Sequence, residues 1–359
     1  MRIWCGMKSK KENLIRKSNI ELLRIVLMIM VIGVHYNLVG MGNAFLYTRE
    51  LGINVSLAAL LESLCIVCVD TFLIITGYFQ INKAKINRRK ISMLIVMIFF
   101  FNIIQYFLGI LIFKNSFILK DFFLQMILGK WFIIIYLVLY IISPYINLFV
   151  KKLTNKEFKN LVVILISIFI IYQTLINFLS IFIPVTGWGV IVDKGVESGY
   201  NIVNFIVLYL IGGYIKKSNL EFKLNKSILG YLISVMLIFL SWYAIYHSKY
   251  IEYSNIAFYY NNIFVVLASV FIFLIFNKLN IKDNKVINSV ASTVLGVFIL
   301  STSPTFIRLY EVLHVKKYCV TKYLIPHFFG TSIIIFLICS SISFIGTLLL
   351  NYLFVKKKG

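Results

Sequence analysis

Acidic residues are scarce in this 359-residue chain: 13 Asp and Glu stand against 36 Lys and Arg, a formal net charge of +23. Charged residues of both signs make up only 14% of the sequence, where a soluble domain carries about 25%. That shortage excludes an ordinary water-facing surface. Cysteine is limited to five positions. Cys65 and Cys68 form a CxxC inside an apolar run with no second pair, which argues against a zinc or redox site and for small buried residues. Four histidines without clustered carboxylates offer no convincing metal set, so no metal ligands are expected. No P-loop and no internal repeat occurs, which weakens a pump driven by its own ATPase.

What is present is apolar sequence. Hydrophobic residues reach 60% and aromatic residues 16%, and the mean hydropathy is +0.92. Runs of about 17–25 apolar residues are membrane-span candidates. Ten are expected, near 20–41, 56–79, 92–113, 131–150, 159–182, 202–215, 228–247, 258–276, 287–304 and 328–354. A shorter apolar piece, Phe122–Leu128, reads as re-entrant or interfacial. The fold class is therefore all-α: a polytopic integral membrane protein of about ten transmembrane helices.

The positive charge follows these runs. Clusters such as Lys8–Lys17, Lys83–Lys90, Lys151–Lys159, Lys216–Lys226, Lys278–Lys285 and Lys356–Lys358 fall between alternate spans. The intervening loops hold fewer cations. The positive-inside rule puts both termini in the cytoplasm. It also accounts for the charge without nucleic acid, since no readable nucleic-acid motif accompanies the basic residues. Residues 1–17 form a basic cytoplasmic segment, 18–355 the transmembrane domain, and 356–359 a basic tail. The first run lacks a signal peptide's cleavage pattern and reads as an uncleaved anchor. The outer segment from Pro184 to Asn201 carries TGWGVIVDKG, a loop suited to covering a site.

Within the first run stand the ionisable residues Arg24 and His35, with Glu21 near its start. Eleven residues make about three helical turns, so both lie on nearly one face, about 16 Å apart along the axis. An ionisable group inside a membrane helix is costly and points to function. The competing readings are a snorkelling Arg24 paired with Glu21, and an interfacial His35. His247, His314 and His327, near outer ends or loops, read as surface residues.

Four stretches then line up: Arg24-x10-His35; CVDTFLIITGYF, from Cys68 to Phe79; the basic turn KAKINRRK, Lys83–Lys90; and the aromatic run from Gly129 to Asn147. Together they resemble the acyltransferase-3 family of integral membrane O-acyltransferases, which includes bacterial O-acetyltransferases of lipopolysaccharide, capsule and exopolysaccharide. Glu21, Arg24 and His35 match the family's E-x-x-R start and Arg-x10-His pattern. Asp70, Phe72, Thr76, Gly77 and Tyr78 match its D-x-F-F-x-x-S-G-F/Y helix, with Thr for Ser. Its paired cations correspond to Lys85 and Arg88, or to Arg88 and Arg89. Trp131, Phe132, Tyr136, Ser143 and Pro144 look like its W-F/Y-x-x-x-Y and L-S-P span. Leu295–Ser301 reads LGVFILS, followed by Pro304 and Arg308; Ser301 stands where members usually carry His.

The resemblance implies transfer of an acetyl group from cytoplasmic acetyl-CoA to a hydroxyl of a cell-surface or lipid-linked polysaccharide. Acyl-CoA is then a substrate, with no permanently bound cofactor, and the partners are the glycan and membrane lipids, not nucleic acid. An alcohol needs a base near neutral pH, and histidine is the suited side chain. His35 is the expected general base, a transient acyl-histidine being the less favoured variant. Arginine suits the phosphates of CoA, so Arg24, Lys85, Arg88 and Arg89 are the expected donor-binding residues. Glu21, Asp70, Thr76, Gly77, Trp131, Tyr136 and Arg308 are supporting residues. Asp70 reads alternatively as a structural partner of a cation, and Trp131 and Tyr136 as an interfacial belt. Two rivals remain: a polysaccharide or lipid transporter or flippase without acyl transfer, and a catalytically dead sensor, which Ser301 keeps open.

Overall fold

The structure is a computed structural model that describes residues 17–43, 52–127, 131–183 and 198–355. Most of the basic N-terminal segment, the loop with Trp188 and Lys194, and the 356–359 tail lie outside the described residues.

Every regular element among the described residues is helical. Apolar runs in lipid must satisfy their backbone groups internally, and helices do so within one segment. In chain order these are α1 (Ser18–His35), extended by a π-helical turn over Tyr36–Gly40, α2 (Ile53–Cys65), α3 (Cys68–Gln80), α4 (Arg88–Phe113), α5 (Leu119–Ile127) and α6 (Trp131–Lys152). Then come α7 (Asn155–Ile166), a π turn, α8 (Tyr172–Leu179), α9 (Ile202–Lys217), α10 (Leu224–Tyr246), a 3-10 turn (Ile251–Phe258) and α11 (Ile263–Lys278). The chain ends with α12 (Lys285–Ala291), α13 (Val294–Ser301), α14 (Pro304–Ile307), α15 (Leu309–Val312), α16 (Val315–Tyr318) and α17 (Leu324–Val355).

Eight helical stretches are long and apolar enough to cross a membrane, and a ninth is a pair, Lys285–Ser301 and Pro304–Val312, bent by 83°. The sixth expected run forms α9, of 16 residues, or about 24 Å at 1.5 Å per residue. The Asn201 side chain caps its start by accepting from the Asn204 N–H, and Lys216 and Lys217 occupy its last turn. The second expected run is broken at Ile66–Val67 into α2 and α3. Hydroxyls meet carbonyls at this break, Tyr231 Oη donating to Leu64 O and Ser269 Oγ to Val67 O, both at 3.1 Å. The apolar piece before the fourth run is helical, as α5.

The chain divides into two compact units. Unit 1 comprises Met1–Gly42, Arg89–Gly129 and Leu279–Gly359; unit 2 comprises Asn43–Arg88 and Lys130–Lys278. In unit 1, α1 packs on α12, α13 and α17. A polar clasp fixes the N-terminal end of α1: Ser18 Oγ donates to Asn288 Oδ1 at 3.1 Å and accepts from the Asn284 N–H at 2.8 Å. The outer faces of α4 and α17 leave Phe99, Phe107, Ile334, Leu337 and Ile345 exposed, as lipid-facing helices do.

The core of unit 2 is the crossing of α3 and α9. A Cβ at Gly77 would lie 1.9 Å from Tyr209 O, and one at Gly212 would lie 2.1 Å from Ile74 O. Each glycine therefore meets the other helix's backbone, the close approach that small residues permit between membrane helices. Cys65 and Cys68 are buried free thiols, the role expected for them.

Candidate functional site

Glu21, Arg24 and His35 belong to unit 1. Glu21 lies in the first turn of α1, and Arg24 Nη1 donates to its Oε2 at 3.3 Å; both side chains are mostly buried. The i, i+3 spacing brings the two onto one face. The pair holds Arg24 in place and offsets part of its charge. Eleven residues on, His35 is half-buried, and its Nδ1 lies 2.7 Å from Val31 O. A carbonyl only accepts, so Nδ1 carries the proton in that bond. The neutral ring then holds its lone pair on Nε2.

α-Helical geometry gives way to the π-helical turn immediately after His35, and such turns occur frequently at functional sites. Tyr36 is fully buried. Its Oη donates to His327 Nδ1 at 2.9 Å, and His327 Nε2 donates to Leu313 O at 2.8 Å. Tyr318 stacks on the His327 ring with centroids 4.3 Å apart, while Tyr310 Oη donates to Ile32 O at 2.9 Å. His327 is thus no surface residue. It is half-buried, and both ring nitrogens are engaged, because the first turn of α17 faces Tyr36 of α1. His247 and His314 are exposed, as expected. Arg308, at the turn between α14 and α15, donates to Asn115 Oδ1 at 2.8 Å and lies 4.4 Å over the Phe113 ring.

The other sequence-expected residues fall mainly in unit 2. Asp70, in the first turn of α3, is completely buried, and neither carboxylate oxygen accepts a hydrogen bond from a described residue. The alternative reading of Asp70, as the structural partner of a cation, finds no such pair among the described residues. Thr76 Oγ1 donates to Phe72 O at 2.8 Å within its own helix. Gly77 forms the α3–α9 crossing described above.

The turn after α3 exposes Lys83, Lys85 and Arg88, with exposed Arg89 following at the start of the α4 segment of unit 1. Two residues that the sequence does not single out hold this turn. Asn147 Nδ2 donates to Gln80 O and Lys83 O, both at 2.8 Å, while its Oδ1 accepts from Tyr209 Oη at 2.8 Å. Tyr140 Oη accepts from the Asn87 N–H at 3.2 Å. Both lie on α6, next to the Ser143–Pro144 pair that carries the motif.

Trp131 and Tyr136 belong to one aromatic cluster. Trp131 meets Tyr200 edge-on at 4.4 Å, and Tyr136 stacks on Phe132 at 6.0 Å. Tyr200 also meets Tyr260 edge-on, with centroids 5.0 Å apart. These contacts make the cluster a packed element in addition to any interfacial belt. No group of three or more His, Cys, Asp or Glu side chains comes together as a metal set among the described residues.

The sequence model of the acyltransferase-3 family, described as an acyltransferase domain, matches residues 17–352. No curated protein and no solved structure matches the chain. A match over nearly the whole chain, on an all-helical fold with eight or nine membrane-length apolar helices, settles the assignment: the chain belongs to the acyltransferase-3 family and is a multi-pass membrane acyltransferase.

Proposed function

We propose that the protein moves an acetyl group from cytoplasmic acetyl-CoA to a hydroxyl of a cell-surface or lipid-linked polysaccharide, at the bacterial plasma membrane. The observation that carries the chemical step is the 2.7 Å contact of His35 Nδ1 with Val31 O. That bond assigns the basic lone pair of the neutral ring to Nε2, so the ring is prepared to take a proton there. In the proposed step Nε2 accepts the acceptor hydroxyl's proton as its oxygen attacks the thioester carbonyl. The carbon–sulfur bond breaks, and the departing thiolate takes the proton back from the imidazolium. Lys85, Arg88 and Arg89 hold the phosphates of CoA. Arg24, paired with Glu21, supports donor binding from α1.

The donor site can be tested by replacing Arg88 and Arg89 with Ala and assaying transfer from labelled acetyl-CoA. A charge-assisted contact is worth about 1.5–3 kcal/mol, so the KM for acetyl-CoA should rise about tenfold or more, with a smaller change for the glycan. An unchanged donor KM would relegate the turn to topology.

The orientation has its own test. With both termini cytoplasmic, a cysteine at Asn87 should escape an impermeant thiol reagent applied to intact cells, and one at Ser198 should react. Labelling at Asn87 would reverse the orientation and remove the donor site from the cytoplasm.

A further inference from the structure

A second polar cluster in unit 1 is built from amides. Gln105, on α4, is 1% exposed. Its Nε2 donates to Gln125 Oε1 on α5 at 2.6 Å, and its own Oε1 is buried without a hydrogen-bond partner among the described residues. Buried polar atoms are nearly always satisfied by protein, water or ligand, so this oxygen needs an explanation. Gln125 is half-buried and spends its oxygen on the shared bond. The pair thus offers one acceptor, Gln105 Oε1, beside the donors of Gln125 Nε2. Flipping both amides together exchanges these halves and leaves one acceptor and one donor.

The surroundings of this pair are fixed. Thr305 Oγ1 donates to Gln105 O at 2.8 Å. One turn further along α4, a Cβ at Gly109 would meet Thr305 Oγ1 at 2.7 Å and Asn115 Nδ2 at 3.3 Å, so Thr305 and Asn115 approach the same face. Asn115 in turn holds Arg308. Tyr106 Oη pins the connecting loop through both Ile118 O, at 2.9 Å, and the Ile118 N–H, at 3.0 Å.

The donor–acceptor pair suits a ligand whose neighbouring groups each donate and accept. Adjacent ring hydroxyls of a sugar do both. Lipid tails do neither, and the phosphates of CoA call for several cations where this cluster has one, already bonded to Asn115. We infer that Gln105, Gln125, Asn115 and Arg308 form the subsite for one sugar ring of the acceptor glycan, an inference that rests on the proposed transfer to a polysaccharide.

The test separates binding from turnover. Protein carrying His35→Gln, reconstituted in nanodiscs, is equilibrated with tritiated envelope polysaccharide from the producing strain, de-acetylated with mild base. Adding Gln105→Leu should weaken binding tenfold or more, and Asn115→Ala should weaken it in the same direction from an exposed position. In the protein with native His35, Gln105→Leu should raise the KM for glycan by a similar factor and shift that for acetyl-CoA less than twofold. Unchanged glycan binding in folded Gln105→Leu or Asn115→Ala protein overturns the subsite. So does an equal loss for donor and acceptor, or binding that follows nanodisc headgroup composition instead of glycan. If the parent transfers no acetyl yet glycan binding still depends on Gln105, the transfer reading fails and the subsite stands.

Discussion

Replacing His35 with glutamine is expected to lower turnover by about 10²–10⁴-fold, the usual worth of a positioned base, while leaving a folded, membrane-inserted protein. Glutamine can hydrogen-bond to Val31 O as the imidazole does, but it cannot accept the hydroxyl proton. His35→Ala should lose activity to a similar extent, because the half-buried ring is a modest share of the packing around α1. If the reaction instead passes through an acyl-histidine, acetyl-CoA without acceptor leaves hydroxylamine-sensitive label on the parent and none on His35→Ala. Near-parental turnover by well-folded His35→Gln protein would remove the base from α1.

A larger structural effect is expected at the α3–α9 crossing. At Gly77 an added Cβ would sit 1.9 Å from Tyr209 O, and at Gly212 2.1 Å from Ile74 O. The obstructing atoms are backbone, so relief requires moving a helix instead of turning a side chain. Overpacking costs about 1–3 kcal/mol and sometimes more, and the reciprocal contact puts these two sites at or above the upper end. Gly77→Ala should lower the melting temperature of the detergent-purified protein sharply, and Gly77→Leu should yield no monodisperse protein. Gly330 supplies the contrast: a Cβ there meets nothing within 4 Å, and helical Gly→Ala at a compatible position is stabilising by about 0.4–1 kcal/mol. Equal melting temperatures for Gly77→Ala and Gly330→Ala would show that the helices separate at no cost.

How much of this was legible in the sequence depends on whether an interaction is local. Membrane helices follow from apolar run length, which is a local property, and the all-α fold came out as expected. The Glu21–Arg24 pair and the shared face of Arg24 and His35 follow from helical periodicity alone. The run counted as the sixth span, 202–215, starts where the helix does and stops two residues short of its end at Lys217, because an apolar run ends at the first lysine while the helix carries Lys216 and Lys217 in its last turn. Contacts between distant segments left no periodic signal. Tyr36 and His327 are 291 positions apart, and His327, close to a helix start, reads from sequence as a surface residue. Asn147 reaches back 67 residues to Gln80, so its hold on the basic turn is invisible without the fold. Gln105 and Gln125 are only 20 residues apart, yet nothing in an apolar helix with a single Gln marks that side chain as half-satisfied.

The most direct test of the central claim is a transfer assay read on the product. Purified protein in liposomes would be given acetyl-CoA on the face bearing the Lys83–Lys90 turn and de-acetylated envelope polysaccharide on the other, and the polysaccharide weighed by mass spectrometry. The expected result is a mass increase of one acetyl group per modified repeat, present with the parent and absent with His35→Gln. An unmodified polysaccharide with the parent protein, or glycan moved across the bilayer without any acetyl gain, would contradict the proposed reaction.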